Sequence, residues 1–212
     1  MENVVKNFDL VKEEISNFKN VNIVAVSKTF PISHILPLIN HGHQHFGENK
    51  VQEAVDKWTL VKDKNKKIKL HLIGKLQTNK VKSAMKLFDF IHSLDSEKLA
   101  NKISKIQNEL NTKTKLFIQV NIGNEDQKSG VSVDKVLNFH NYCNSLGLDI
   151  IGLMCIPPVN EDTRKYFTQM NDLNSKLGLK ELSMGMSSDY LDAIENNSTF
   201  IRIGSSIFGE RS

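Results

Sequence analysis

The chain has 212 residues, of which 25% are charged and 39% hydrophobic, and its formal net charge is +4. This length suits a single domain with a substantial core, and we assign residues 1–212 to one domain. The mild positive charge is scattered through helical stretches and accompanies no recognisable motif, which argues against nucleic-acid binding.

Cysteine content and the lack of long apolar runs bear on the location of the protein. The two cysteines, Cys143 and Cys155, are too few for a disulfide scaffold and favour a reducing compartment. No apolar run approaches the roughly 20 residues that span a bilayer. The segment 1–16 is acidic and amphipathic, unlike a secretory signal or a transit peptide. We therefore expect a cytoplasmic protein that does not bind membranes, and, without an apolar stripe, a monomer.

Short apolar, β-rich runs alternate along the chain with longer helical patterns. The runs predict strands at 21–28, 43–49, 67–74, 88–95, 115–122, 148–156, 180–185 and 199–204. Helical patterns between them cover 32–41, 50–60, 96–110, 132–145, 161–177 and 188–196. Eight strands alternating with helices predict an α/β protein with a single-domain (β/α)8 TIM barrel. The alternative is an open doubly wound sheet, but the first turn, "SKTFP", lacks its G-x-G-x-x-G fingerprint.

The first predicted strand ends in a lysine, Lys28. In a (β/α)8 barrel, the functional face lies at the carboxyl ends of the strands. A lysine there is usually a surface residue whose stem packs while its ammonium stays hydrated. Less often it is a desolvated amine that forms a Schiff base with a carbonyl compound. The residues around it leave both interpretations open.

Glycine and paired serines follow the last two predicted strands, in "SMGMSSDY" (183–190) and "RIGSSIFGER" (202–211). Each loop leads into a short helix, and barrels often build a phosphate site from the loops after strands seven and eight. Either loop alone could be an ordinary serine-capped helix start. The occurrence of both at the end of the chain favours phosphate binding.

Histidines alternate in "HGHQHFGEN", where His43 and His45 share one face of the predicted strand. Two imidazoles are a possible start of a metal site, but no acidic or cysteine partner completes it at useful spacing. We assign no metal. His71 and His92 lie on separate strands, where we expect hydrogen-bonding roles in the core or at the rim.

Several stretches together resemble a known family. They are "AVSKTFP", "HFGENKVQEA", "HLIGKLQTNK", "GLMCIPP", "LSMGMSSDY" and "STFIRIGSSIFGER". These runs, from about Val24 to Arg211, resemble the YggS/PROSC family of pyridoxal phosphate homeostasis proteins. The resemblance implies the barrel of the alanine racemase N-terminal domain, known as fold type III of the pyridoxal 5'-phosphate (PLP) proteins.

The resemblance also implies a cofactor site. Lys28 would form an internal aldimine with PLP, and Arg202 would lie toward the pyridine nitrogen. The phosphate would be held by Ser187, Gly204 and Ser205, with Asn49 at the rim near the cofactor. We expect partial burial and the nearby Arg202 charge to lower the pKa of Lys28, since a free amine is the nucleophile.

Three functions are compatible with such a site. The first is a PLP-binding protein that buffers the cofactor or delivers it to apo-enzymes, without catalytic residues. The second is a weak amino-acid racemase. An arginine at the pyridine nitrogen makes a weak electron sink, and the three tyrosines available as a second base, Tyr142, Tyr166 and Tyr190, lie in helical stretches. The third is a Schiff-base aldolase acting on a sugar phosphate, with Glu48 as its acid–base residue. We favour the first.

Overall fold

A closed barrel of eight parallel strands forms the centre of the molecule in a computed structural model, which describes residues 2–125 and 127–209. The strands are β1 (Asn22–Val26), β2 (His45–Glu48), β3 (Lys69–Leu72), β4 (Phe90–Leu94), β5 (Lys115–Asn121), β6 (Val131–Ser132), β7 (Ile150–Cys155), β8 (Glu181–Met186) and β9 (Phe200–Ile203). The two-residue β6 pairs with the end of β5, and the other eight strands form the barrel. These eight confirm the predicted strands and the TIM-barrel fold.

Helices surround the barrel. They are α1 (Glu2–Glu14), α2 (Ile32–Asn40), α3 (Val51–Lys64), α4 (Val81–Leu87), α5 (Glu97–Leu110), α6 (Val136–Ser145), α7 (Thr163–Lys176), α8 (Tyr190–Glu195) and α9 (Ser205–Phe208). The six predicted helices are all present, although α6 begins four residues later than predicted because a 3-10 turn over Val133–Lys135 precedes it. Within the described ranges, no helix combines the length and apolar character needed to cross a bilayer.

Strand alternation divides the buried side chains into two layers. The outer layer packs between the strands and the helices; for example, the fully buried Trp58 of α3 contacts Phe46 of β2, with ring centroids 4.9 Å apart. The inner layer fills the barrel. There the ring centroids of Phe200 of β9 and Phe90 of β4 lie 5.7 Å apart, although these strands are not neighbours. The barrel interior is therefore a packed core, without an open channel.

The register of β1 determines what surrounds the first strand's carboxyl end. On one side β1 pairs with β9, which places Ala25 opposite Ile203. On the other side it pairs with β2, which places Val26 opposite Gly47. Lys28 follows β1 by two residues, so it lies between the loop after β2 and the loop after β9.

Candidate functional site

A cavity of about 670 Å³ opens at the carboxyl ends of the strands, within the size range of small-molecule sites. The six residues predicted for the site all line it: Lys28, Asn49, Ser187, Arg202, Gly204 and Ser205. They come from the loops after β1, β2, β8 and β9, from β9 itself and from the first residue of α9. The cavity wall also includes apolar side chains that were not predicted, Val26, Phe30, Ile73, Ile156 and Met186.

Lys28 lies in a tight turn, half-buried. The Phe30 amide donates to the Ser27 carbonyl at 3.2 Å, which closes the turn around Lys28 and Thr29. Thr29 has φ +70°, a conformation that costs energy in a β-branched residue. Its amide donates to Glu53 Oε1 at 2.8 Å, and this bond to α3 helps to hold the strained backbone.

The carboxylate of Glu48 holds the same turn from the outer side of the barrel. Glu48 is fully buried and its Oε1 accepts hydrogen bonds from Ser27 Oγ (2.8 Å), Trp58 Nε1 (2.9 Å) and Lys57 Nζ (3.0 Å). Lys57 also donates to the Ser27 carbonyl at 3.0 Å. Because Glu48 points to α3, it is not among the described residues that line the cavity. The geometry gives it a structural role and leaves the aldolase hypothesis without its proposed acid–base residue.

Asn49 lies against the backbone of Gly74, which follows β3 by two residues. A Cβ on Gly74 would lie 2.2 Å from the Asn49 carbonyl oxygen, a distance that no side chain could occupy. Gly74 is therefore required for the close approach of the two strand ends. The "HLIG" and "GEN" stretches of the sequence meet at this contact.

The two serine-containing loops contact each other. The Ser206 amide approaches Ser187 Oγ at 3.5 Å, so that the loop after β8 and the start of α9 lie side by side. The first loop is shaped by Asp189, whose Oδ1 accepts from the Met186 amide at 2.6 Å. Burial raises the pKa of the Asp189 carboxyl. Ser187 and Ser205 thereby line the same part of the cavity wall.

Gly204 has no steric reason of its own to be a glycine. A Cβ there would lie 3.6 Å from Val26 Cβ, an ordinary contact, and its φ of −112° suits any residue. By contrast, a Cβ on Gly185, near the end of β8, would lie 2.6 Å from the Ala193 side chain. A side chain on Gly204 would take up cavity space, which fits a bound group that approaches the backbone closely.

Arg202 is a buried cation with neutral partners. It is 5% exposed; its Nη1 donates to the Ser183 carbonyl (2.6 Å) and to Ser183 Oγ (2.7 Å), and its Nη2 donates to the Cys155 carbonyl (2.8 Å). Among the ion pairs of the described residues none involves Arg202. Burial lowers the pKa of its guanidinium. A guanidinium nevertheless stays protonated, so Arg202 is a permanent donor at the cavity wall.

Sequence reasoning missed three contributors to the site: the Ser183 side chain, the Cys155 carbonyl and the Asp189 carboxylate. Ser183 carried a usable signal, because a hydroxyl in the middle of a buried strand needs a partner. The Cys155 carbonyl carried none, since it is a backbone atom whose availability depends on the local register of β7.

A parallel barrel with a lysine after the first strand and glycine–serine loops after the last two is the architecture of fold type III PLP proteins. The family model described as "Alanine racemase, N-terminal domain" matches residues 1–212. The chain belongs to the family of pyridoxal phosphate homeostasis proteins. It is 40% identical over 199 residues to the one from Aquifex aeolicus (89% of this chain, 86% of that one) and 37% identical over 218 residues to the one from Schizosaccharomyces pombe (96% and 91%).

Solved structures agree with this assignment. PipY of Synechococcus elongatus, determined with PLP bound, matches with a TM-score of 0.88 and 32% identity, over 97% of this chain and 100% of that one. An alanine racemase from Clostridium difficile matches with a TM-score of 0.77 and 16% identity, over all of this chain and 57% of the racemase. The second likeness shows a common fold alone.

The Glu48 carboxylate yields a stability prediction. We expect Glu48→Ala to lower the free energy of unfolding by about 3–5 kcal/mol, because it removes the acceptor of the buried Ser27 hydroxyl and Trp58 N–H and leaves the Lys57 ammonium with the Glu53 carboxylate alone, 3.5 Å away. Urea unfolding followed by circular dichroism measures this loss. The control is Asp63→Ala, which removes the exposed pair with Lys66 and should change stability by less than about 1 kcal/mol. Equal effects of the two substitutions would contradict the assigned role of Glu48.

Proposed function

We propose that this protein binds PLP at the cavity, holds it covalently on Lys28, and buffers the cofactor or delivers it to apo-enzymes without substantial catalytic turnover. The observation that carries the proposal is the cavity that joins Lys28 to the glycine–serine loops after β8 and β9. An amine, hydroxyl donors and a permanent cation match the aldehyde, phosphate and ring nitrogen of PLP in number and kind. Two further findings support the same cofactor: the family to which the chain belongs is named for pyridoxal phosphate, and PipY was determined with PLP bound.

Five of the six predicted residues have a chemical role in this proposal, and the sixth, Asn49, lines the cavity beside them. The Lys28 amine condenses with the aldehyde, and the carbonyl oxygen leaves as one water molecule. Ser187 and Ser205 donate hydrogen bonds to the phosphate, which the bare backbone of Gly204 allows to approach. Arg202 donates to the ring nitrogen. Because a guanidinium does not give up its proton, that nitrogen stays unprotonated and the bound cofactor is a weak electron sink.

The composition of the cavity wall supports holding over turnover. Among the described residues that line it, the titratable side chains are Lys28 and Arg202. The three tyrosine hydroxyls have partners elsewhere: Tyr142 with Asn101, Tyr166 with Glu161, and Tyr190 with Glu14. A racemase needs a second base on the opposite face of its substrate from the lysine, and these residues do not supply it. A weak racemase remains the alternative because the barrel is shared with an alanine racemase.

Reduction with borohydride tests the covalent attachment. We expect the PLP-loaded protein to be yellow, and reduction to bleach its visible band and fix the cofactor to Lys28, as read by peptide mass mapping. Lys28→Ala should lose this adduct while retaining weak, phosphate-dependent binding. Lys75→Ala, a control at an exposed lysine after Gly74, should keep it. A stoichiometric adduct on a different lysine would overturn the assignment.

Serine substitution tests the phosphate loops. Each hydrogen bond to a phosphate contributes roughly 1.5–3 kcal/mol, so Ser187→Ala combined with Ser205→Ala should weaken PLP binding at least about tenfold. Fluorescence titration measures the affinity and thermal unfolding checks the fold. The control, Ser175→Ala, removes an exposed hydroxyl on α7. Unchanged affinity in a folded double variant would show that the phosphate binds elsewhere.

Hydrogen exchange at the substrate α-carbon separates the carrier from the racemase. We expect the PLP-loaded protein to exchange the α-proton of L-alanine or L-serine in deuterated water no faster than free PLP, because the described residues that line the cavity include no second base opposite the lysine. Proton NMR follows this exchange, and the activity of an added apo-enzyme follows release of PLP. Exchange at about 1 per second or faster would favour the racemase. Failure to supply any apo-enzyme would contradict delivery and leave storage.

A further inference from the structure

Three imidazoles form a hydrogen-bonded row across the barrel interior, called here the histidine file. Its members are His45, His71 and His92, and it ends at Ser183, a hydrogen-bond partner of Arg202. His45 Nδ1 lies 2.9 Å from His71 Nε2, and His71 Nδ1 lies 2.9 Å from His92 Nε2. His92 Nδ1 then lies 2.8 Å from Ser183 Oγ, which accepts from Arg202 Nη1. The file starts at the first residue of β2, where His45 is half-buried, and passes through β3 and β4 to β8.

The surroundings of the file keep it uncharged and in place. His71 stacks on Phe90 with ring centroids 4.2 Å apart, and His92 stacks on Phe117 with ring centroids 4.3 Å apart. Both histidines are fully buried. Burial lowers the pKa of both imidazoles well below the ordinary value, and for His92 the nearby Arg202 charge adds to the effect. A neutral imidazole has one donor and one acceptor nitrogen, which is the requirement for a member of such a file.

Arg202 sets the direction of every hydrogen bond in the file. Its N–H groups only donate, so Ser183 Oγ accepts from Nη1 and has its own hydrogen to donate. The acceptor within reach is His92 Nδ1, which makes His92 an Nε2–H tautomer. His92 then donates to His71, and His71 donates to His45. All three imidazoles therefore carry their proton on Nε2.

This direction matters for the guanidinium. The Arg202 guanidinium is held by three hydrogen bonds. The carbonyls of Ser183 and Cys155 accept two of them, and Ser183 Oγ accepts the third. The hydroxyl oxygen is a good acceptor only while its hydrogen points away from the guanidinium, and His92 Nδ1 takes that hydrogen. We propose that Ser183 and His92 are positioning residues, backed by His71 and His45, that aim the Arg202 guanidinium at the ring nitrogen of the bound cofactor. The inference rests on the proposed function.

The first test uses the apo-protein and needs no cofactor. Imidazole ¹⁵N NMR of histidine-labelled protein at pH 7.5 reports which ring nitrogen carries the proton, with assignment by single substitution. We expect the Nε2–H form at His45, His71 and His92. Ser183→Ala should change the tautomer balance of His92, because it removes the donor to Nδ1. An Nδ1–H form at His92 in the wild-type protein would overturn the inference.

The second test uses PLP and an analogue whose ring nitrogen is replaced by carbon. Ser183→Ala should lower the affinity for PLP relative to the analogue roughly fivefold to tenfold, since only PLP offers the acceptor that Arg202 is aimed at. His92→Leu should act in the same direction. His92→Asn should retain most of the wild-type ratio, because its amide oxygen can accept the Ser183 hydrogen in place of Nδ1.

The control and the contrary outcomes separate this inference from the proposed function. Ser93→Ala removes a buried hydroxyl of β4 that has no hydrogen-bond partner among the described residues, and it should leave the affinity ratio unchanged. An equal loss of both ligands in Ser183→Ala would mean a general packing role and would overturn the inference while PLP binding stands. Absence of PLP binding by the wild-type protein would overturn the proposed function, and the positioning role with it.

Discussion

The pairing of β1 with β9 closes the barrel, and the geometry of the site depends on this contact. It aligns Val24 with Arg202 and Ala25 with Ile203, so the carboxyl ends of the first and last strands lie side by side. Lys28 follows one of these strands, and the loop beginning at Gly204 follows the other. An open sheet of the same strands would place them at opposite edges. The amine and the glycine–serine loops can therefore contact one small molecule only because the sheet closes.

Strand alternation places two buried charges on opposite sides of the barrel wall. Glu48 points outward, where the Lys57 ammonium and two neutral donors offset the cost of its burial. Arg202 points inward and is held by carbonyl and hydroxyl oxygens. A carboxylate partner would have neutralised the guanidinium and occupied its donors. With neutral acceptors instead, its positive charge acts on the cavity, where it would stabilise the lone pair of a ring nitrogen and a phosphate.

The sequence was sufficient for the barrel and for six of the residues that line the cavity, but not for the apolar part of the cavity wall or for the residues that support it from behind. Periodicity located the eight strands, and the rule that barrel sites lie at carboxyl ends directed attention to Lys28 and the last two loops. The direction of Glu48 was not predictable in the same way, because a shift of one residue at a strand end moves a side chain from the cavity to the helices. The positive φ of Thr29 is equally hidden, since a threonine gives no sign of it.

The histidines show most clearly where sequence reasoning ends. Their spacing suggested a metal pair or isolated hydrogen-bonding groups, whereas the contacts that unite them join β2, β3, β4 and β8 across the barrel. A buried polar file is tolerable only when its buried members are satisfied, and here His71 and His92, which are fully buried, each combine hydrogen bonds at both ring nitrogens with a stacked phenyl ring. The same atoms thus fill the core and support Arg202. Core packing and the cavity wall consequently depend on the same residues. A substitution deep in the barrel therefore affects the cavity through these hydrogen bonds as well as through the stability of the fold.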